Sequence, residues 1–221
     1  MLLKDVGSKL NEKAKHIYPT MSTEEIQNIL DSYREIMFVN GVFNVNPLFI
    51  KSNTVIYMSP NTIIQANIGF GANDCVLTIK DVSNITIYGN HAIVKMLKSE
   101  YTTGEWRHGV YMLSANNITI NDFHSNDSGG DGFYIGTSTP TGFCDSIVLN
   151  NCFSDNNKRQ GLSITSVKNL YVYGGKYSGT IGTNPQFGID IEPNLATNFI
   201  ENVNLIGVKT SNNSGGGISV V

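Results

Sequence analysis

The chain has 221 residues, of which 15% are charged and 40% are hydrophobic, with 22 glycines against 6 prolines. This length suits one domain with its own core, the hydrophobic share excludes wholesale disorder, and the glycine content favours a β-rich chain with many turns. The net charge is −3 without a long basic run, so a basic nucleic-acid-binding face is disfavoured, and no apolar stretch approaches the ~20 residues of a membrane span.

The amino terminus carries no recognisable secretory signal. Residues 1–5 read Met-Leu-Leu-Lys-Asp, which is not the start of the apolar run that such a signal needs. The three cysteines, Cys75, Cys144 and Cys152, are odd in number and lack metal-ligand spacing. We therefore expect synthesis in the cytoplasm with reduced thiols, with later release in a particle or by lysis as the alternative.

Residues 1–35 differ from the rest and are expected to form a helical segment that caps the domain. Residues 22–25 read Ser-Thr-Glu-Glu, a capping box, and apolar residues follow at positions 26, 29 and 30. This pattern predicts an amphipathic helix over 22–35 that covers the first coil of the fold described next. Residues 1–20 are expected to be a second helix or a linker.

Five segments between residue 109 and the end share one pattern, a glycine followed by apolar, variable and apolar positions. Successive glycines lie 23, 29, 27 and 29 residues apart. The alternation has the period of a β-strand. The segments are Gly109–Met112, Gly132–Ile135, Gly161–Ile164, Gly188–Ile191 and Gly217–Val220.

A second repeat alternates with the first. Its members are Asn84–Ile87, Asn117–Ile120, Ser146–Leu149, Asn169–Val172 and Asn202–Leu205. Three residues beyond each segment lies a position that is expected to face inward. These positions are Asn90, Phe123, Cys152, Gly175 and Val208. Each repeat unit is therefore expected to contain two or three short strands.

Regular units of this length predict an all-β solenoid. Leucine-rich repeats need a leucine frame and a helical segment that are absent here, and propeller blades need longer periods. We predict a single-stranded parallel β-helix of roughly seven coils over residues 36–221. Because residues 217–221 open a coil and then stop, the domain is expected to be a fragment open at this end, or to be covered there by another subunit.

These repeats resemble the right-handed parallel β-helix of the pectate-lyase-like superfamily. The resemblance covers residue 35 to the end. It implies that side chains from successive coils align in rows along the outer wall.

One outward row is rich in chemically active groups. On the glycine-led strands it contains Tyr111, Tyr134, Ser163, Asp190 and Ser219, and Arg107, His108, Asp131 and Arg159 lie just before these strands. Carboxylates and His can transfer protons, Arg binds anionic groups, and aromatic rings can stack on sugars. The predicted catalytic residues are Asp131, Asp190, Glu192, Arg159 and His108, and the predicted substrate-binding residues are Arg107, Tyr111, Tyr134, Trp106 and Ser163.

The spacing of the carboxylates permits glycoside hydrolysis. Asp190 and Glu192 share a strand, and Asp131 lies two coils away, so either pair falls near the ~6.5–9.5 Å separation of an inverting glycosidase. A cofactor is not expected, although a calcium ion among these three residues is an alternative. Asp131 could instead fix a turn, and Trp106 could cover the coil below it.

Two resemblances concern function. Residues 126–133 and 157–162 resemble consecutive coils of mannuronan C5-epimerases, which implies that Asp131 and Arg159 belong to a catalytic groove, although the Tyr-Gly-Phe-Asp-Pro-His-Glu motif of those enzymes is absent before Asp131. The coils over 159–164 and 188–194 resemble β-helix proteins of phages, often tailspikes or depolymerases. This second resemblance implies a virion component that acts outside the host cell.

The leading hypothesis is a carbohydrate-active protein that binds a bacterial surface polysaccharide and depolymerises it as a hydrolase or lyase. One alternative is a non-catalytic receptor-binding or structural fibre module, and another is a uronate C5-epimerase. The expected partner is a cell-envelope glycan, with no nucleic acid, no membrane span and a homotrimer as the possible assembly.

Overall fold

The computed structural model describes residues 13–221. Within this range lie one α-helix, α1 (Thr23–Ser32), and a short 3-10 helix (Lys98–Glu100). The strands are β1 (Lys15–Ile17), β2 (Glu35–Phe38), β3 (Gly41–Val45), β4 (Leu48–Phe49), β5 (Thr54–Met58), β6 (Thr62–Ala66), β7 (Leu77–Lys80), β8 (Ser83–Lys95), β9 (Val110–Leu113), β10 (Asn116–Asn126), β11 (Phe133–Gly136), β12 (Cys144–Asn150), β13 (Phe153–Asp155), β14 (Leu162–Ile164), β15 (Val167–Tyr173), β16 (Lys176–Ser178), β17 (Phe187–Ile191), β18 (Ile200–Ile206), β19 (Lys209–Ser211) and β20 (Gly216–Val220).

The strands stack into three faces around one apolar core. Face A contains β1, β2, β5, β12, β15 and β18 with the first halves of β8 and β10. Face B contains β3, β6, β13, β16 and β19 with the second halves of β8 and β10. Face C contains β4, β7, β9, β11, β14, β17 and β20. Strands pair in parallel with the next coil throughout the described residues, and the fold is the predicted right-handed parallel β-helix of seven coils.

The third inward column is confirmed at Phe123 and Cys152, whose side chains are fully buried. The prediction for Asn90 is wrong, because Ala92 pairs with Phe123 instead. Strand β8 turns the corner with three residues between Tyr88 and Ala92, where β10 uses a single residue. The third inward position of this coil is therefore Ala92, two residues beyond the position that the repeat spacing predicts.

The glycines that begin the face C strands lie where a side chain has no room. A Cβ on Gly109 would lie 1.9 Å from Oγ of Ser125, and a Cβ on Gly132 would lie 2.2 Å from Oγ of Ser154. These serine hydroxyls donate to the carbonyls of Gly132 and Gly161 at 2.6 and 2.9 Å. The repeated glycines therefore lie at a narrow corner of each coil, where buried serine hydroxyls hydrogen-bond to the backbone.

Gly161→Ala is expected to lower the free energy of unfolding by about 1–3 kcal/mol, the usual cost of overpacking. The new Cβ would lie 2.4 Å from the carbonyl oxygen of Gly188, which the stacked backbone holds in place. The control Gly71→Ala meets only the half-buried Asp74 carboxylate, at 3.1 Å. Urea unfolding of both variants measures the difference, and equal midpoints would contradict this account of the corner.

Asparagines with left-handed backbone begin the face A segments. Asn84, Asn117, Asn169 and Asn202 have φ between 53° and 59°, a region that Asn tolerates better than most residues. The side-chain amide of Asn117 donates to Asn84 at 2.9 Å, and that of Asn202 donates to Asn169 at 2.7 Å. These bonds connect successive coils along the corner.

Helix α1 covers the first coil as predicted, although it ends at Ser32. The Ser22 hydroxyl accepts from the N–H of Glu25 at 3.2 Å, the Glu25 carboxylate accepts from the N–H of Ser22 at 2.7 Å, and residues 26, 29 and 30 are buried. The Gln27 amide also donates to the carbonyl of Phe49 and accepts from its N–H, both at 2.9 Å. The Gln27 side chain therefore pairs with the backbone N–H and carbonyl at the edge of β4, as a neighbouring strand would.

The first segment contains a strand that sequence analysis did not predict. Lys15–Ile17 pairs in parallel with Ile36–Phe38, so these residues belong to the solenoid wall rather than to a helix or linker. Residues 1–12 of the predicted cap lie outside the described range. At the other end, the inward residues Ile218 and Val220 are 48% and 75% exposed. No helix within residues 13–221 has the length and apolar character needed to span a bilayer.

Candidate active site

Face C carries the predicted row of side chains. The register pairs Tyr111 with Tyr134, Tyr134 with Ser163, Ser163 with Asp190, and Asp190 with Ser219. The row lies on the outer wall as predicted, but its centre is closed to solvent, since Tyr134, Ser163 and Asp190 are at most 4% exposed. The centre of the row is a buried polar cluster.

Asp131 lies in the middle of this cluster and has no solvent exposure. Its Oδ2 accepts from the Ser163 hydroxyl at 2.8 Å and from Nη1 of Arg159 at 3.4 Å, whereas its buried Oδ1 has no hydrogen-bond partner. Burial raises the pKa of the Asp131 carboxyl to about 7, and the charge of Asp190 adds to this effect, while Arg159 and Ser163 oppose it. A carboxyl with this pKa carries a proton in part of the population at neutral pH, as a general acid must.

His108 is a neutral ring packed beside Asp131. Its Nδ1 accepts the backbone N–H of Asp131 at 3.0 Å, which leaves the proton on Nε2, a buried atom without a partner. Burial and the charge of Arg159 lower the pKa of His108 to about 3. The 3.4 Å approach of Nδ1 to the Asp131 carboxylate is therefore not an ion pair. A group with so low a pKa is a weak base, so Asp131 is better suited to proton transfer.

Aromatic rings enclose His108. Its ring stacks on Tyr134 with centroids 4.8 Å apart and lies 5.1 Å from Tyr111. The Trp106 ring makes edge-to-face contacts with His108 and Tyr134, with ring centroids 5.9 and 6.2 Å apart. The Tyr134 hydroxyl accepts a hydrogen bond from the Asn194 side-chain amide at 2.8 Å. These rings exclude water from the cluster, in agreement with the burial that shifts the pKa of Asp131.

Arg159 and Trp106 form the outer side of the cluster. The Arg159 guanidinium lies 5.9 Å from the Trp106 ring centre, and its Nε donates to Glu105 at 3.1 Å. Trp106 is 37% exposed and the Arg159 side chain is 16% exposed, whereas Asp131 is fully buried. A ligand that reaches Asp131 must therefore displace these two side chains.

Asp190 is a second buried carboxylate, one coil beyond Ser163. Its Oδ2 accepts from the Gln160 amide at 2.7 Å, and its buried Oδ1 has no hydrogen-bond partner. Burial raises the pKa of Asp190, and the charge of Glu192 on the same strand end contributes to this shift. Glu192 therefore lies near Asp190, as the sequence predicts.

Arg107 does not join this cluster. Its guanidinium donates to the carbonyls of Phe70 and Thr103 at 3.2 and 2.6 Å and lies 4.7 Å from the Tyr101 ring. The prediction that Arg107 lies in the same row as Asp131 is corrected, because these contacts hold its side chain against Phe70 and the inserted segment 95–106.

Sequence analysis missed two members of the cluster. Glu105 pairs with Arg159, and Gln160 connects Asp190 to the backbone of its own strand by accepting the N–H of Phe187 at 2.6 Å. Gln160 is recognisable in retrospect, because it occupies the position between Arg159 and the next glycine-led strand. Glu105 lies in an insertion without a repeat, and no sequence signal marks it.

The described residues contain no group of three or more His, Cys, Asp or Glu side chains arranged to hold a metal ion. Asp131, Asp190 and Glu192 thus do not form the cation site considered as an alternative. The three cysteines are free and buried, and burial raises the pKa of each thiol, to about 12 for Cys75 and Cys152 and about 11 for Cys144. They are poor nucleophiles in this state.

One curated bacterial protein resembles the chain in sequence. The chain is 25% identical to YclG of Bacillus subtilis, an uncharacterized protein, over 78% of this chain and 35% of YclG. Thus the chain spans about a third of that relative's length. No family model matches the chain.

Two solved structures share the architecture. The tailspike gp49 of Acinetobacter baumannii bacteriophage Fri1, a capsular polysaccharide depolymerase, superposes with a TM-score of 0.69 and 15% identity over 94% of this chain and 41% of gp49. PfbA, a surface adhesin of Streptococcus pneumoniae, superposes with a TM-score of 0.64 and 12% identity over 90% of this chain and 57% of PfbA. The chain is a right-handed parallel β-helix. At these identities the likeness establishes the fold alone, and the epimerase resemblance gains no support.

Proposed function

We propose that the protein binds a bacterial surface polysaccharide along face C and cleaves it, with Asp131 as the general acid. The observation that carries the proposal is a fully buried carboxyl with a pKa of about 7 beside a second buried carboxyl, Asp190. Environments that keep one carboxyl protonated near neutrality are typical of acid catalysis. The likeness to gp49, a capsular polysaccharide depolymerase, supports the choice of substrate class.

The contacts assign a role to each group in this proposal. Asp131 accepts from Ser163 and Arg159 through Oδ2, so the unpartnered Oδ1 is the atom free to hold and donate the proton to a glycosidic oxygen. Asp190 is oriented by Gln160 and lies against Ser219 and Glu192, and its carboxylate can accept a proton from water or stabilise positive charge. The Ser163 hydroxyl, which keeps its contact with Oδ2, stabilises the carboxylate that Asp131 becomes after donation.

Access to the acid depends on Trp106. The indole is the exposed aromatic member of the cluster, and an aromatic face suits the apolar face of a sugar. In the proposed complex the indole and the Arg159–Glu105 pair shift outward, and the sugar takes their place over His108. Tyr111 and Tyr134 would then form the floor of the site beneath the sugar.

A non-catalytic binding module is the second candidate, and one observation favours it. Asp131 and His108 are closed off from solvent, and Arg159 is already paired with Asp131 and Glu105, as in a structural network. PfbA, a surface adhesin, has the same fold. We also propose a homotrimer and a location in a phage particle. The enzyme and the binding module are each compatible with both, and neither depends on them.

Product analysis distinguishes the candidates. We expect the chain of 221 residues, incubated with purified capsular polysaccharides, to produce new reducing ends from at least one of them. Ultraviolet absorbance of an unsaturated product would identify elimination rather than hydrolysis. Binding without new chain ends would favour the binding module, and neither binding nor cleavage across capsules from several bacterial genera would overturn the proposal.

A further inference from the structure

A cleft of about 640 Å³ lies between the first two coils of face B and the 3-10 helix Lys98–Glu100, and it shares no lining residue with the Asp131 cluster. Its volume is in the range of about 300–1,000 Å³ that is typical of ligand sites. Four side-chain amides line one wall, those of Asn44, Asn46, Gln65 and Asn67. We refer to this feature as the amide cleft.

The stacking of two coils places these amides in register. Asn44 on β3 pairs with Gln65 on β6, and Asn67 donates to Asn46 at 3.1 Å just beyond the strands. Gln65 donates to the carbonyls of Lys95 and Ala66 at 3.2 and 3.4 Å, so its oxygen is the group that it has available. Each amide has two N–H donors and an acceptor oxygen, so these bonds leave groups of both kinds available. Paired donors and acceptors are what vicinal sugar hydroxyls require.

Apolar side chains also line the cleft. Ile68 is 81% exposed, and Leu97 lines the cleft from the inserted segment. An exposed isoleucine beside the amides gives the cleft both polar and apolar contact groups. A pyranose ring likewise has a hydroxyl edge and a C–H face.

The charges around the cleft select against anionic ligands. Glu100 is the charged residue among those that line it. The two lysines that lie within two residues of its lining residue Leu97 in the chain are engaged elsewhere, since Nζ of Lys95 lies 3.6 Å from Asp127 and Nζ of Lys98 donates to Asn156 at 3.0 Å. A uronate or phosphate in the cleft would meet a carboxylate without a facing cation, whereas a neutral glycan would not.

The wall formed by the insertion is held in place before any ligand binds. The N–H of Leu97 donates to the Tyr101 hydroxyl at 3.3 Å, Lys158 donates to the carbonyl of Tyr101, and Arg107 lies over the Tyr101 ring. A preformed wall reduces the ordering cost of binding. The same insertion ends at Trp106, so one segment borders both the amide cleft and the Asp131 cluster.

We propose that the amide cleft is a second carbohydrate-binding site and that it takes a neutral, hydroxyl-rich segment of a glycan. The Asn and Gln amides bind the hydroxyls, and Ile68 and Leu97 contact the C–H face. The proposal concerns binding alone, so it does not depend on cleavage at Asp131.

The test uses nuclear magnetic resonance of the side-chain amide signals, with neutral hexasaccharides of glucose, galactose and N-acetylglucosamine as probes and oligogalacturonate as the anionic comparison. We expect at least one neutral probe to shift the signals of Asn44, Gln65 and Asn67 with a dissociation constant on the order of 1 mM. Asn67→Asp is expected to weaken this binding about tenfold, because it removes a donor and adds a second negative charge.

Two controls separate this site from the proposed active site. Asn202→Asp alters an equivalent inter-coil amide pair on another corner and is expected to leave binding unchanged. Asp131→Asn is likewise expected to leave the cleft signals and their shifts unchanged, even if it abolishes cleavage. The absence of shifts with every neutral probe at about 20 mM, or shifts with oligogalacturonate alone, would overturn the proposal.

Discussion

Asp131→Asn is expected to reduce polysaccharide cleavage by roughly 10²–10⁴-fold, the usual contribution of a general acid. The amide keeps the size of the carboxyl and can still accept the Ser163 hydroxyl bond, but it has no acidic proton to transfer to the leaving oxygen. The rate of appearance of reducing ends, measured at saturating polysaccharide, gives this loss directly.

The matched control is Asp31→Asn, which removes an exposed carboxylate that is paired with Lys51 at 3.5 Å on the helical cap. We expect the Asp31 variant to cleave at the rate of the unaltered chain. Full activity in the Asp131 variant would remove Asp131 from the mechanism. Equal losses in both variants would show a general effect of lowering the negative charge.

The same substitution is expected to stabilise the protein at high pH. The folded-state pKa of Asp131 is about 7, above the ~3.9 of an unfolded aspartate. Between these values the folded state binds more protons than the unfolded state, so the stability of the unaltered chain falls as pH rises from about 4 to 7. Above pH 7 the buried carboxylate imposes its full penalty, which Asp131→Asn removes.

We therefore expect the stability of Asp131→Asn, relative to the unaltered chain, to rise by roughly 2–4 kcal/mol between pH 4 and pH 8. Urea unfolding at several pH values measures this change, and any fixed effect of the substitution cancels in the comparison. Parallel stability profiles for the two proteins would show that Asp131 ionises as easily in the folded state as in the unfolded one.

The repeat made most of the fold predictable because steric constraints recur in each coil. Gly132 and Gly161 face buried atoms at the corner, and Asn117 and Asn202 adopt left-handed backbone, so the same residue types return at each coil. The row from Tyr111 to Ser219 follows from that period. The misplacement of Asn90 has a local cause, the two extra residues with which β8 turns its corner.

The burial of the site was not predictable from the repeat, because it depends on contacts that have no period. Arg107 reaches the carbonyl of Phe70 and the ring of Tyr101, which holds the insertion against the coils. Trp106 and Glu105 then come to lie against the row that is predicted on the outer wall. The sequence of an insertion has no periodicity, so it does not indicate which face of the solenoid the insertion covers.

In this account the stacked coils hold Asp131 as a carboxyl that is still partly protonated at neutral pH. The most direct test is a ¹³C titration of the Asp131 carboxyl carbon by nuclear magnetic resonance, assigned by comparison with Asp131→Asn. A midpoint near pH 7 is the expected result. A midpoint at or below about pH 4, the value of an ordinary aspartate, would contradict the account.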